Sequence, residues 1–334
     1  MVKKWKLPHL VRGYKGLVVI GCVALAFSLS GCAVIKLGQS YDSPIQEQVL
    51  DKGKTEDKVL ILSIDGTLSD SPKRGLLSQA PSLLDSVMMQ LKKAEEDKKI
   101  KAVVLKINSP GGGVTVSDIL YHELLSFKER THKTLYVQMM NVAASGGVYI
   151  AMAADHIQAH ASTITGSVGV ISINADLSGT MDKIGAAVNV YKTGDNKDMG
   201  SPFRPATKSD QTVFQNMVDG MAKNFYEVVK TQRKLTDEQM AELKTARIFT
   251  GKDAIEAGLV DSLGYLSDAT EQACKLAKAK DCKIVSYRFK TNPNATSYSP
   301  SMSLQGDVQP VQLLNIPLLE QAKLKAGIYY LYLQ

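Results

Sequence analysis

The 334-residue sequence contains little of what defines several large classes of protein. It has one tryptophan, four cysteines and five histidines. The histidines do not fall at zinc-binding spacings and no Gly-x-x-x-x-Gly-Lys-Ser/Thr loop occurs, so neither a metal site nor a cofactor is predicted. Only one stretch is long and apolar enough to meet a bilayer, which excludes a multi-span membrane protein. The composition, 44% apolar and 22% charged, is that of a globular chain.

Positive charge is concentrated at the start of the chain. The net charge is +7, from 40 basic and 33 acidic residues. Residues 1–31 contain five of the basic residues and no acidic one. The remaining 35 basic residues nearly balance the acidic ones, so the excess is typical of a targeting segment and no nucleic-acid partner is predicted.

An uncharged segment, residues 16–30, follows the basic start and leads to Leu29-Ser30-Gly31-Cys32. These four residues resemble a bacterial lipobox, in which Cys32 is lipidated and residues 1–31 are removed as a signal peptide. The alternative is an uncleaved membrane anchor, because no charge occurs between Lys15 and Lys36. Both alternatives attach the protein to membrane lipid at the bacterial cell membrane, with the body on the extracytoplasmic (periplasmic) side.

Two further cysteines, Cys274 and Cys282, lie in the body of the chain. In an exported protein they form either a disulfide or two unpaired thiols, and the sequence favours neither. Residues 37–56 are polar without clear periodicity, and residues 32–56 are predicted to form a tether. A folded domain is predicted over residues 57–290, and a C-terminal extension with an apolar Tyr/Leu-rich tail over residues 291–334.

Hydrophobic patterns of strand and helix type alternate along the predicted domain, and they become mostly helical beyond Thr207. This order predicts an α/β fold with parallel strands and flanking helices. The strands are predicted at Val59–Ile64, Ala102–Ile107, Thr134–Gln138, His156–Ala159 and Cys282–Phe289. The helices are predicted at Pro81–Lys99, Thr115–Arg130, Ser145–Ala154, Ser209–Lys234, Thr236–Thr245, Gly251–Gly258 and Ser267–Lys278.

Two glycine clusters follow predicted strands and precede predicted helices: Ser109-Pro-Gly-Gly-Gly113 and Ala143-Ala-Ser-Gly-Gly147. Adjacent glycines expose backbone N–H groups that can hold a developing oxyanion. A serine at the start of a helix lies at the positive end of the helix dipole, which favours an alkoxide. Taken separately, a tight turn and a helix N-cap would also explain the two clusters.

Together the clusters resemble the signal peptide peptidase A family, the Ser–Lys peptidases of the ClpP/crotonase-like fold. The matching stretches are Leu105–Gly113, Val142–Tyr149, Thr165–Val170, Gly194–Asp198, Ala246–Gly251 and Ala257–Gly264. The resemblance implies a membrane-anchored serine endopeptidase that cleaves hydrophobic peptides, such as remnant signal peptides, through an acyl-enzyme. It also implies a ring-like homo-oligomer with active sites at subunit interfaces.

The resemblance assigns a role to five residues of this sequence. Ser145 is the nucleophile, Lys197 is the general base, Gly112 with Gly111 supplies the oxyanion hole, and Ser167 orients the lysine. An unperturbed lysine has a pKa near 10.4 and is charged at neutral pH, so a lysine base requires burial.

Two questions about this assignment remain open in the sequence. Lys192 is the nearest rival base, and Asp195 and Asp198 are expected to point away from Lys197, since a carboxylate would hold the proton on it. The Tyr/Leu-rich tail, Tyr329–Gln334, either packs on the body or enters a substrate groove, its own or a neighbour's. The alternative function is an inactive or non-peptidase scaffold of the same fold, although such a scaffold would be expected to lack Ser145 or Lys197.

Overall fold

The computed structural model describes residues 44–74, 79–299 and 327–332. The predicted signal segment and Cys32 lie outside the described residues. The strands are β1 (Gln46–Asp51), β2 (Lys58–Asp65), β3 (Lys73–Arg74), β4 (Gln79–Ala80), β5 (Ile100–Ser109), β6 (Gly111–Gly113), β7 (Thr134–Ala144), β8 (His156–Ala159), β9 (Ile164–Gly166), β10 (Ile171–Ile173), β11 (Ile248–Thr250), β12 (Ser262–Leu263), β13 (Lys283–Arg288) and β14 (Gly327–Leu331). The helices are α1 (Leu83–Glu96), α2 (Val114–Thr131), α3 (Gly146–Ala151), α4 (Ser178–Lys183), α5 (Lys208–Arg233), α6 (Asp237–Leu243), α7 (Gly251–Glu256) and α8 (Leu266–Leu276).

A mostly parallel sheet forms the centre of the α/β fold. Its strand order is β1-β13-β2-β5-β7-β8-β12, with β9 also paired to β7 and β11 paired to β9. Two pairings, β1 with β13 and β9 with β11, are antiparallel, and the others are parallel. The α/β fold with parallel strands and flanking helices that the sequence predicts is therefore confirmed.

Both faces of the sheet are buried. Successive side chains of a strand point to opposite faces, so neighbouring residues of one strand belong to different hydrophobic clusters. On β2, Leu60 and Leu62 belong to the larger hydrophobic cluster, which also contains residues of α1 and α2. Val59 and Ile61 belong to a second cluster with residues of α8. Covering both faces with helices requires apolar runs such as Val59–Leu62, and this explains why the strands are readable in the sequence.

The predicted strands and helices are present, with ends that shift by a few residues. The largest shift is in β7, which continues six residues past the predicted end and delivers its last residue, Ala144, directly to Ser145. The predicted tether is wrong for Gln46–Asp51, because β1 pairs there with β13 at the edge of the sheet. This strand is mostly exposed or half-buried, so it lacks the apolar pattern that identifies the inner strands.

Cys274 and Cys282 form a disulfide that joins α8 to the residue before β13. The structure thereby selects one of the two alternatives that the sequence leaves open. Within the described ranges, no helix is both long and apolar enough to cross a bilayer.

Candidate active site

Three motifs meet at the carboxyl ends of neighbouring parallel strands. Ser109 at the end of β5 pairs with Ala143 on β7, and Ala144 pairs with Gly166 on β9. The connections that follow these three strands are the Pro-Gly-Gly turn, the serine turn and the Gly166–Ser167 turn. In parallel sheets of this kind, binding sites form at the carboxyl ends of the strands.

Ser145 lies at the junction of β7 and α3, in a backbone conformation that L-amino acids rarely adopt. Its φ and ψ are 53° and −113°, and the residue is only 1% exposed. Its N–H donates to the Gly166 carbonyl oxygen at 2.8 Å, which fixes the turn to β9. Such a conformation costs on the order of 1–3 kcal/mol and is found mostly at functional sites.

The Ser145 hydroxyl is not used to cap the helix that it precedes. Its Oγ instead donates a long hydrogen bond, 3.5 Å, to the Gly169 carbonyl oxygen. A serine that served only as an N-cap would accept a hydrogen bond from a first-turn N–H. The geometry therefore argues against the purely structural explanation of the Ala-Ser-Gly-Gly motif.

The Pro-Gly-Gly turn approaches the serine turn more closely than any side chain would allow. Gly111 has a φ of +100°, and its N–H donates to Ser109 Oγ at 3.1 Å. A Cβ on Gly111 would lie 2.7 Å from the Gly146 nitrogen and 2.1 Å from the Tyr330 carbonyl oxygen. Only glycine permits this approach, which places the predicted oxyanion turn against the residue after Ser145.

A second support of this turn is the backbone of Leu68. Its N–H donates to the Gly111 carbonyl oxygen at 2.8 Å, and its carbonyl oxygen accepts from the Gly113 N–H at 3.1 Å. A Cβ on Gly112 would collide with the same backbone. Sequence reasoning missed Leu68 because it acts through its main chain, and the only nearby signal is the Asp65-Gly66 pair that ends β2.

The C-terminal strand β14 lies beside the predicted oxyanion turn. It pairs antiparallel with β6 on one side and with β10 on the other. Tyr330 pairs with Gly112, and the Tyr332 N–H donates to the Pro110 carbonyl oxygen at 2.7 Å. Because hydrogen-bonded pairs alternate along an antiparallel ladder, Tyr330 and Gly112 are also a bonded pair. The Gly112 N–H therefore points to the Tyr330 carbonyl oxygen.

Lys197 does not join this cluster within a single chain. It lies on an exposed segment between α4 and α5. Its side chain makes no hydrogen bond or ion pair with any residue in the described parts of the chain, Ser145 included. The structure thus brings Ser145, Gly111 and Gly112 together and leaves Lys197 apart from them.

Lys192, the rival base, forms an ion pair within its own segment. Its Nζ lies 2.7 Å from Asp198 Oδ1 and donates to the Asp195 carbonyl oxygen at 2.8 Å. Arg204 donates to both carboxylate oxygens of Asp198, at 3.0 and 2.9 Å. Hydrogen bonds from Arg204 and then Lys192 hold the pKa of Asp198 well below its usual value. Asp198 is thus engaged by two cations other than Lys197.

Ser167 adjoins the nucleophile through the backbone. It follows Gly166, whose carbonyl accepts the Ser145 N–H, and its own N–H donates to the Arg247 carbonyl oxygen at 2.8 Å. Its φ of 51° turns the chain out of β9. The Ser167 hydroxyl has no hydrogen-bond partner within the described ranges. It can therefore orient a lysine only if that lysine moves to it or comes from another chain.

Two protein-family models match the chain. The family model for peptidase family S49 matches residues 128–280, and the Clp protease model matches residues 79–166. The two matches include the serine turn and, in the second, the Pro-Gly-Gly turn. The chain is therefore a serine protease with a ClpP-like α/β fold.

The similar proteins extend the match to most of the chain. A protein of Enterococcus faecium assigned to signal peptide peptidase SppA is 35% identical over 76% of this chain and 74% of its own length. Protease 4 of Haemophilus influenzae is 30% identical over 76% of this chain and 41% of its own. The chloroplastic serine protease SPPA of Arabidopsis thaliana is 32% identical over 67% and 32%. The chain belongs to peptidase family S49, the signal peptide peptidase A family.

Proposed function

We propose that this protein is a membrane-anchored serine endopeptidase that cleaves hydrophobic peptides, such as remnant signal peptides, with a Ser145–Lys197 dyad. The observation that carries the proposal is the contact between the strained Ser145 turn and the Gly111–Gly112 turn. A nucleophile and oxyanion donors held by two rigid strand ends are the preorganised parts that acyl transfer requires.

In the proposed reaction, Ser145 Oγ attacks the scissile carbonyl carbon while Lys197 accepts the hydroxyl proton. The N–H of Gly112 donates to the developing oxyanion. The turn at Gly111 holds this N–H group in position. The lysine then gives its proton to the leaving amine as the C–N bond breaks, which leaves an acyl ester on Ser145. A water molecule, deprotonated by the same lysine, attacks the ester, and the lysine returns this proton to Ser145 Oγ as the C–O bond breaks and the acid is released.

We further propose that Lys197 acts on the Ser145 of a neighbouring copy in a ring-like homo-oligomer. Several apolar side chains on and beside its segment are exposed in one chain, notably Tyr191 at 94% and Ile184 at 70%. Docking against a second copy would bury these side chains and the lysine together. Burial disfavours the ammonium form, and a lysine base requires this.

The dyad is tested by kcat/KM on an apolar peptide with three single variants. Ser145→Ala and Lys197→Ala should each lower kcat/KM by about 10³-fold or more, because either change removes the nucleophile–base pair. Lys192→Ala is the matched lysine control and should stay within about 10-fold of the wild type, since it removes an ion pair and not the base. Wild-type activity in either dyad variant would overturn the assignment, and inactivity of the unaltered protein would favour the scaffold alternative.

The anchoring proposal concerns residues outside the described ranges and has its own test. Cells fed a labelled fatty acid should label the wild-type protein and not a Cys32→Ala variant. Labelling of neither protein, with both retained in the membrane fraction, would indicate the uncleaved anchor.

A further inference from the structure

Ser109 is the last residue of β5, and its hydroxyl is used by the turn that follows. The residue is 0% exposed, and its Oγ accepts the Gly111 N–H at 3.1 Å, across Pro110. The Ser109 hydroxyl makes a long contact, 3.5 Å, with the Gly111 carbonyl oxygen as well. A serine oxygen that accepts the N–H two residues later closes a local turn, and the proline ring restricts the same stretch. The Pro-Gly-Gly turn is thus fixed by a side chain at its start.

The main-chain groups on either side of Gly112 are held by supports from the body. The Gly111 N–H goes to Ser109 Oγ. The Leu68 main chain takes the Gly111 carbonyl oxygen and the Gly113 N–H. The Gly112 N–H lies between these bonds and points instead to the neighbouring strand β14. It is therefore the N–H group of this turn that is left for an oxyanion.

The Ser109 hydroxyl acts where water has no room to replace it. Ser109 and Gly111 are both buried, and a Cβ on Gly147 of α3 would lie 3.0 Å from the Ser109 carbonyl oxygen. On the other side, Ser109 is paired with Ala143 of β7. Without the hydroxyl, the Gly111 N–H would be buried with no acceptor, and the turn would have to shift to satisfy it.

We infer that Ser109 is a positioning residue for the reaction: its hydroxyl holds the Pro-Gly-Gly turn so that the Gly112 N–H meets the oxyanion formed on attack by Ser145. The inference rests on the proposed function, since it concerns the same oxyanion. It also divides the work of the two glycines. The Gly111 N–H is committed to Ser109 and supports the turn, and the Gly112 N–H is the donor.

The size and the kind of the effect follow from this role. The oxyanion exists only in the transition state, so a misplaced donor lowers kcat and leaves KM nearly unchanged. Losing an oxyanion donor outright costs about 10²- to 10³-fold in kcat, and a donor that is present but displaced should cost less. We therefore expect Ser109→Ala to lower kcat on an apolar peptide by ~30-fold, with KM within ~3-fold of the wild type.

Two further variants of the full-length protein separate positioning from a general loss of structure. Ser109→Thr keeps an oxygen on Cβ and should restore kcat to within ~3-fold of the wild type. Ser286→Ala makes the alanine change at another buried serine, on β13, which β2 separates from β5. It should leave kcat unchanged, and equal losses of kcat in Ser109→Ala and Ser286→Ala would overturn the inference.

A peptide boronic acid supplies a readout that does not depend on the threonine variant folding. Ser145 Oγ adds to the boron, and the tetrahedral adduct places one oxygen at the oxyanion position. Ser109→Ala should weaken this inhibitor by the same ~30-fold as kcat, because both require the Gly112 N–H. The acid limb of the pH profile of kcat/KM, which reports the base, should stay in place.

The outcomes distinguish the inference from the proposed function. If the wild type cleaves the peptide and Ser109→Ala matches it in kcat and in boronic acid affinity, the inference is wrong and the proposed function stands. A shifted acid limb in Ser109→Ala would also overturn the inference, because the serine would then act through the base. A wild type that neither cleaves the peptide nor binds the boronic acid would reject the proposed function, and the inference with it.

Discussion

The two halves of the proposed dyad lie in regions built in opposite ways. Ser145 is buried at the end of an inner strand, and its neighbours Gly111, Gly112 and Gly166 are held by backbone hydrogen bonds. Lys197 lies on an exposed segment whose defined contacts, such as the pair between Asp198 and Arg204, are made by polar side chains. The part of the proposed site around Ser145 is assembled within one chain, whereas Lys197 is not brought to it.

The difference indicates where a second chain belongs. A lysine is a useful base when it is buried. The segment around Lys197 is not covered by the rest of its own chain, and it leaves large apolar side chains in solvent. Contact with another copy would cover these side chains and carry the lysine to a serine at the same time. The exposure that makes Lys197 look unsuited to catalysis in one chain is therefore consistent with a role in the assembly.

Complementation between two inactive variants is the strongest test of whether Lys197 of one copy acts on Ser145 of another. Ser145→Ala and Lys197→Ala chains, co-expressed with different tags, should recover roughly a quarter of wild-type activity, because random mixing pairs an intact serine with an intact lysine at that frequency. Peptide hydrolysis by doubly purified complexes is the measurement. Ser145→Ala chains carrying both tags serve as the control and should stay inactive.

A dyad within one chain makes the opposite prediction. Every such site would carry one defective residue, so the mixed complexes would be as inactive as the control. That result would also require the segment around Lys197 to move toward Ser145 of its own chain, away from the position it has in the structure.

The same comparison explains how much the sequence revealed. The inner strands were predictable because strands buried on both faces need continuous apolar runs, as in Val59–Leu62. The candidate glycines were readable because their close approaches demand glycine, above all at position 111, and the serine was readable because it stands between a predicted strand and a pair of glycines. These are local requirements, and they leave a pattern in the sequence.

Contacts made by side chains over long separations left no such pattern. Nothing in Tyr330 alone indicates that it stacks on Tyr149, and β1 has no apolar alternation to distinguish it from a tether. Lys197 was found only through the resemblance of Gly194–Asp198 to a known family, because a lysine in a polar loop is ordinarily a solvated one. Its single-chain environment, taken alone, would not single it out.

Removing the C-terminal strand β14 tests whether this strand blocks the proposed site around Ser145. A chain that ends after Lys325 lacks β14, and we expect its kcat/KM on short peptides to rise by about 10-fold or more. A tethered segment competes at an effective concentration in the millimolar range, so the change should appear mainly in KM. A synthetic peptide of residues 326–334 should restore the inhibition, and unchanged kinetics would contradict a tail that occupies the site.

The smallest expected effect tests the polar contacts of the lysine region. The pKa of Asp198 is held low in the folded protein by Arg204 and Lys192, so the folded state binds fewer protons there than the unfolded state. The stabilisation is fully present above the ordinary aspartate pKa, near 3.9, and is lost as the pH falls toward the lowered value. Hydrogen exchange around residues 192–206 should therefore accelerate below about pH 4, once corrected for the intrinsic pH dependence.

The control for this effect removes the guanidinium partner and keeps the carboxylate. In Arg204→Gln, Asp198 retains only Lys192, so exchange in residues 192–206 should be faster at neutral pH and change less on acidification. Exchange around residues 143–150 should be the same in both proteins, because the serine turn is held by backbone hydrogen bonds that do not titrate. An equal acceleration in both segments would show that residues 192–206 do not open independently of residues 143–150. The contrast drawn between the two parts of the proposed site would then be wrong.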